Sequence, residues 1–371
     1  MRRWAPEAPA VPVMLGFDGF VDSIIQVVDQ RRDIDHYEPI RTISQLAQRV
    51  AAAAGHSTNM ELVTLRQKLG GNGPIMANAL AAAGLEVTYI GAVGQPELHP
   101  VFADLAQRAK VHSIAAPGFT DALEFADGKL LLGKYDHLAR MGYEQIRQTL
   151  GEEAFRTIVA RSRLVGMVNW TMLPRLETVW EELVERVLPE VGPMVNGRRR
   201  LIFIDLADPE KRTRQDLARA LSQCTRLNRH ADVILGLNLK EAIQAAAAVD
   251  IPIGGEPEQA IETTARRLRE RLELAGVVIH PRRCAAAAIQ QDKDVHSARF
   301  EGPFVASPKL STGAGDNFNA GFCLGLLAGL SVEQALCTGT ATSGYYVRHA
   351  ASPTLEQLAA FCEDLPAPEP C

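Results

Sequence analysis

Short apolar runs alternate with longer amphipathic stretches along most of the chain. The runs at residues 11–17, 87–92, 164–168, 201–205, 233–236 and 276–280 read as strands. Apolar residues recur at helical spacing over 74–84, 98–109, 174–189, 213–227, 239–248 and 257–274. Strands that alternate with helices predict an α/β fold whose mostly parallel sheet is covered on both faces. Ligands then belong beyond the carboxyl ends of the strands. Residues 119–135 read as a hairpin that turns at Asp127-Gly128. The polar segment 23–67, with a helical stretch at 43–54, has the character of part of a lid. Alanine-rich stretches at 51–54, 245–248 and 285–288 read as helix. Near the C-terminus, a strand-like run at 303–306 precedes apolar helical patterns at 318–330 and 335–347.

Composition narrows the class. With 371 residues, 47% hydrophobic and 22% charged, the chain is long enough for one large core with a lid. A net charge of −5 gives no field for nucleic acid. No apolar run approaches the ~20 residues of a membrane span. The N-terminal sequence MRRWAPEAPAVPVMLGF is broken by prolines and carries Glu7, so it lacks a signal-peptide core and a cytoplasmic protein is expected. Residues 1–10 read as a loose arm, 11–365 as the folded body and 366–371 as a tail. Cys224, Cys284, Cys323, Cys337, Cys362 and Cys371 show no CxxC spacing and are expected as free thiols. No HExxH motif occurs.

The most chemically specific segment is Ser311-Thr312-Gly313-Ala314-Gly315-Asp316-Asn317-Phe318. Glycines flanking a small residue at a helix start leave backbone N–H groups free, and the helix dipole makes that end an anion site. Asp316 beside it is placed to take a proton from an attacking hydroxyl. A plain strand-to-helix turn is the bland alternative. The run STGAGDNFNAGF resembles the C-terminal signature DTxGAGDxFxAGF of the ribokinase-like (PfkB) carbohydrate kinases.

That resemblance implies a three-layer sandwich with a small β-rich lid, formed from segments near 23–67 and 112–137. It implies transfer of the γ-phosphoryl group of ATP, with Mg²⁺, to a hydroxyl of a sugar or polyol. Asp316 is then the base, and Gly313, Ala314 and Gly315 stabilise the transferring charge. Thr312, Gly313, Gly315 and Asn238 meet the nucleotide. Asn238 and Glu241 resemble the family's N-x-x-E motif, in which the Glu holds Mg²⁺ through water; a helix cap is the alternative. Asp205 and Asp208 resemble a further loop of the family, with less weight.

Asp18 and Asp22 lie near the family's sugar-binding acid. As two carboxylates after the first strand, they suit a polyol, or else a helix cap and a solvated acid. Gly70, Gly71 and Asn72 resemble the GG helix start that carries substrate contacts, although Ile75 stands where the family often has Asn. The spacing GFxxxVD looks closer to the ADP-dependent sugar kinases. Leu310 replaces an acid that helps hold a monovalent cation, so potassium activation is not expected. His280-Pro281-Arg282-Arg283 replaces the family's T-x-G. The alternatives left open are an ADP-dependent sugar kinase, a nucleoside kinase and an inactive sugar-binding regulator. A homodimer through the lid is one expectation for assembly; no nucleic-acid or membrane partner is expected.

Overall fold

The structure is a computed structural model that describes residues 1–194, 197–291 and 294–370. Its strands are β1 (Pro12–Phe17), β2 (Phe20–Arg31), β3 (Tyr37–Pro39), β4 (Leu62–Gly70), β5 (Glu86–Gly91), β6 (Lys110–Ser113) and β7 (Gly118–Phe125). They continue with β8 (Gly128–Lys134), β9 (Leu164–Val168), β10 (Leu201–Asp205), β11 (Asp232–Leu237), β12 (Gly276–Ile279), β13 (Cys284–Gln291) and β14 (Asp294–Glu301). A nine-stranded sheet runs β14-β13-β12-β11-β10-β9-β1-β5-β6. It is parallel from β12 to β6 and antiparallel only at the β12–β13 and β13–β14 pairs.

Burial on both faces explains the continuous apolar strands. Met14, Ile202, Ile204, Val277 and Ile279 enter one core. Their neighbours Leu15, Phe203 and Val278 enter a second core on the opposite face. This is the alternation of side chains along a strand. Helices Leu176–Glu182, Arg214–Asn228 and Ile261–Arg271 contribute to the first core, and Asn72–Ala82, Ala314–Leu327 and Val332–His349 to the second.

A smaller sheet of β3-β2-β7-β8, with β4 paired to β2, is built from the segments expected to form a lid. Its hairpin turn falls between β7 and β8, as the Asp127-Gly128 signal predicts. The strands β2 and β4 were not legible in the polar segment 23–67. Much of β4 is exposed on both faces, so it shows no apolar alternation. Residues 68–70, read as the start of a turn, close β4 instead.

Three other local expectations fail for physical reasons. Ala285–Ala288 lie in β13, not in a helix. Ala285 and Ala287 face one core while Ala286 and Ala288 face the other. Small side chains on both faces let helices cover this strand closely, and that packing overrides alanine's helix propensity. Residues 303–306 form no strand, because their backbone groups bond to side chains and to the C-terminal segment. The N-terminal residues form a 3-10 helix at Ala5–Ala10, with Trp4 and Ala8 buried against the second core. No helix among the described residues is long and apolar enough to cross a membrane. Cys224, Cys284, Cys323, Cys337 and Cys362 are free; Cys371 lies outside the described residues.

Candidate active site

A cleft of about 490 Å³ opens at the carboxyl ends of β10, β11 and β12. Asp205 ends β10, Asn238 follows β11 and His280 follows β12, and all three line it. On the opposite side the helix Ala314–Leu327 begins, so Gly313, Ala314, Gly315 and Asp316 also face the cleft. Gly313 adopts φ +90°, where a Cβ would also sit 3.0 Å from the Tyr346 hydroxyl. Glycine is therefore the residue this cap admits. Ala314 N–H donates to Ser311 O at 3.2 Å, which closes the turn. Thr312 contributes its carbonyl, which accepts from Tyr346 Oη at 2.9 Å.

Asp316 is buried, and Asn72 Nδ2 donates to its Oδ1 at 2.9 Å. Burial first, then the nearby Asp205, pushes its carboxyl well above the usual range; the Asn72 bond acts the other way. Asp205 is held up to about 6 by burial, although its Oδ2 accepts from Asn319 Nδ2 at 2.7 Å and its Oδ1 from Ala207 N–H at 2.8 Å. Glu241 is raised to about 8 by burial and by Asp205. Its Oε2 accepts from Asn238 N–H and its Oε1 from Asp208 N–H, each at 2.8 Å. Asn238 in turn caps the helix through Glu241 N–H, a reciprocal capping box. Glu241 is thus a cap and a buried acid at once.

Asp18, expected as a substrate ligand, does not line the cleft. It is fully buried, with Oδ2 accepting from Asn72 N–H at 2.9 Å and Asn169 Nδ2 at 2.6 Å, and Oδ1 from Gly73 N–H at 2.8 Å. These donors occupy the carboxylate at the start of the helix Asn72–Ala82. Burial outweighs them and lifts Asp18 to about 6. Asp22 lies in β2, on the smaller sheet, opposite Lys68 of β4 and Thr120 of β7. A Cβ on Gly70 would sit 2.6 Å from the Asp22 carboxyl, so Gly70 admits that side chain beside the turn. Burial raises Asp22, while Lys68 and a Thr120 hydrogen bond oppose the shift. Gly70, Gly71 and Thr312 are not among the cleft-lining residues, whereas Asn72 is.

Several participants were not singled out in the sequence. Asn169 holds Asp18 from a left-handed backbone at φ 65°, and Asn319 holds Asp205. Asn319 sits one helical turn after Asp316, a spacing that places both on the same side of the helix. At the far end of the cleft stand Arg282, Phe304, Thr340, Ser343 and Val347. His280 stacks on Phe318 at 4.5 Å and burial holds it down to about 4, so it is neutral.

The buried acids fit a divalent cation that keeps its water: Asp205 and Glu241 repel each other, and a positive charge between them and a phosphate chain relieves this. Among the described residues no three His, Cys, Asp or Glu side chains are arranged as a direct chelate.

Comparison with known proteins gives a consistent account. The curated ketohexokinase of Haloferax volcanii is 29% identical over 356 residues, covering 94% of this chain and 90% of that protein. Among solved structures, phosphofructokinase-2 from Escherichia coli in complex with fructose-6-phosphate superposes with a TM-score of 0.64 at 15% identity, covering 96% of this chain and 99% of that one. Arabidopsis thaliana ribokinase complexed with ribose and ATP gives 0.62 at 14% identity, covering 95% and 98%. The ribokinase-like fold is thereby shown, and the chain is a carbohydrate kinase. The prokaryotic ketohexokinase profile matches residues 2–365, a span that contains both sheets and every residue of the cleft, and the chain belongs to that family.

Proposed function

We propose that the protein transfers the γ-phosphoryl group of ATP to a hydroxyl of a ketohexose, with Asp316 as the base. The observation that carries this is the position of Asp316: buried, in the first turn of a glycine-capped helix, and on the wall of the cleft of about 490 Å³. First-turn amides have no intrahelical partner, so those of Gly315 and Asp316 face charge that develops on the transferring group. The sugar hydroxyl attacks the γ-phosphorus as its proton passes to the Asp316 carboxylate. The new O–P bond forms while the bond to the β-phosphate oxygen breaks, and ADP leaves.

The substrate lies between Asp316 and the smaller sheet, where Asp22 and Asn72 accept and donate to its hydroxyls. Asp18 acts at one remove: it fixes the Asn72 backbone and so aims the Asn72 side chain. The phosphates run past Gly313–Gly315, and the base occupies the end walled by Phe304 and Val347. Asn238 and Glu241 frame the phosphate side. Glu241 and Asp205 would hold magnesium through its waters, and the ion would supply positive charge to offset the phosphates. Closure of the smaller sheet as a lid excludes water and suppresses ATP hydrolysis.

Ile34, Leu62, Leu65, Leu131 and Leu132 are exposed on or beside the smaller sheet. A homodimer paired through the lids covers them, and light scattering of Leu65→Glu against wild type tests this. Free thiols and a nucleotide substrate suit the cytoplasm.

The deciding assay is turnover with ATP or ADP as donor against D-fructose, D-glucose, D-ribose and adenosine. ATP-dependent turnover with the highest kcat/KM for the ketohexose is expected. A preference for ADP or for the nucleoside rejects the reading, as does absence of turnover with every pair.

A further inference from the structure

We propose that the C-terminal segment around Glu369 is a strap that positions the base-side wall of the nucleotide cleft. This rests on the placement of ATP argued above. The wall is the loop between β14 and the helix Ala314–Leu327, and it has few regular backbone partners. Phe304, half-buried, is its aromatic residue lining the cleft, with the Arg283 guanidinium 4.7 Å and the Arg282 guanidinium 5.5 Å from its ring centre.

The loop is pinned from two sides. From the helix Val332–His349, Arg348 donates to Pro303 O at 2.6 Å and to Phe304 O at 3.4 Å. From the C-terminal segment, Glu369 N–H donates to Phe304 O at 3.0 Å. The Glu369 carboxylate accepts from Ala306 N–H at 2.9 Å, and the Glu369 carbonyl accepts from Arg283 Nη2 at 3.3 Å. One residue therefore binds the backbone of Phe304, the backbone two residues further on and one of the arginines that stack on the ring.

The local sequence suits a strap. In Pro366-Ala367-Pro368-Glu369-Pro370 only Ala367 and Glu369 carry an amide N–H. Alternating prolines hold the segment extended before it docks, so ordering it costs less entropy than ordering a flexible tail. The family match ends at residue 365, so this contact lies outside what family membership accounts for. Glu369 is a positioning residue: it acts on the nucleotide through Phe304 and Arg283, and it touches neither the sugar side of the cleft nor Asp316.

The test uses the full chain with Glu369→Gln, Glu369→Ala and Glu369→Pro. Gln keeps an acceptor for Ala306, Ala removes it, and Pro also removes the donor to Phe304. Dissociation constants for a non-hydrolysable ATP analogue are measured by calorimetry, beside KM for both substrates and kcat. With one net hydrogen bond lost per step, we expect about 3-fold weaker nucleotide binding for Ala and about 10-fold for Pro, while Gln stays within about 2-fold of wild type. The ketohexose KM and kcat are expected to hold within about 2-fold. Nucleotide affinity unchanged in Ala and Pro overturns the strap, as does a loss in which ketohexose KM, kcat and thermal stability move together with nucleotide affinity. No binding of the analogue by the wild type overturns the placement of ATP itself, which separates that failure from a failure of the strap.

Discussion

Asn72 Nδ2 donates to Asp316 Oδ1 at 2.9 Å across 244 positions of sequence. The bond joins the start of one helix to the first turn of another, and both residues line the cleft. It favours the ionised form of a carboxyl that burial and neighbouring acids push toward neutrality. A base with a raised pKa is a stronger proton acceptor but is less often ionised, so with Asp316 in its proposed role as base this hydrogen bond sets the pH at which it is ready.

Asn72→Ala removes that tuning. Asp316 then titrates at still higher pH, so the acid limb of the kcat/KM profile moves to higher pH. A loss of ~10-fold in kcat/KM at neutral pH, with partial recovery in alkali, is expected. An acid limb that stays in place shows that Asn72 does not act on Asp316.

Asp316→Asn retains the shape and much of the hydrogen bonding and cannot take a proton. The expected loss in kcat is ~10²–10⁴, with nucleotide affinity changed little. Single-turnover kinetics and calorimetry on the same preparation check both halves. Near-normal turnover removes Asp316 from the role of base.

Asp18 and Asp22 are expected to separate. Asp18→Ala orphans the N–H groups of Asn72 and Gly73 and the Asn169 amide, so it lowers stability by about 2–3 kcal/mol and lowers kcat through Asn72. Asp22→Ala raises the ketohexose KM and leaves the ATP KM and the melting temperature near wild type. Equal effects of the two variants on sugar affinity and stability contradict this division.

Glu241→Gln keeps one of the two acceptor oxygens that serve Asn238 N–H and Asp208 N–H, and removes a carboxyl that can ionise beside a cation. The Mg²⁺ concentration for half-maximal rate rises several-fold, on the order expected for loss of an outer-shell carboxylate. Unchanged Mg²⁺ dependence returns Glu241 to the role of a helix cap alone.

The alternation of apolar runs and amphipathic stretches made the large sheet legible, because strands buried on both faces leave a continuous apolar signal. The glycine-capped helix start that carries Asp316 was legible because a cap at positive φ requires glycine at a fixed place before the apolar helical pattern. That Asp18 folds inward onto a helix start while Asp22 stays on the smaller sheet was not legible, because sequence spacing does not reveal which of two carboxylates turns inward. Asn169 carries no local signal and matters only through Asp18, far away in the chain, whereas Asn319 could have been found from its spacing one helical turn after Asp316. The β13 alanines show the reverse case, in which a strong local propensity gave way to helices packed on both sides of a strand.

The buried acids also predict how stability responds to pH. In the ligand-free fold Asp18 and Asp205 titrate near 6 and Glu241 near 8. In the unfolded chain all three titrate near 4, about 1.4 kcal/mol being at stake per unit of difference. Between about pH 4 and those folded values the native state holds more protons than the unfolded state. Stability is therefore greatest in mild acid and falls as pH rises through 6 toward 8. A lower melting temperature at pH 8 than at pH 5 is therefore expected for the ligand-free protein. Asp205→Asn deletes one of the titrations and lowers Glu241 by removing its charged neighbour, so the slope flattens. Mg²⁺ with an ATP analogue opposes the drop, because it binds the ionised acids that the higher pH creates. A melting temperature that rises steadily from pH 5 to pH 8 in the ligand-free protein contradicts the buried, mutually repelling carboxyls on which the cation site is argued.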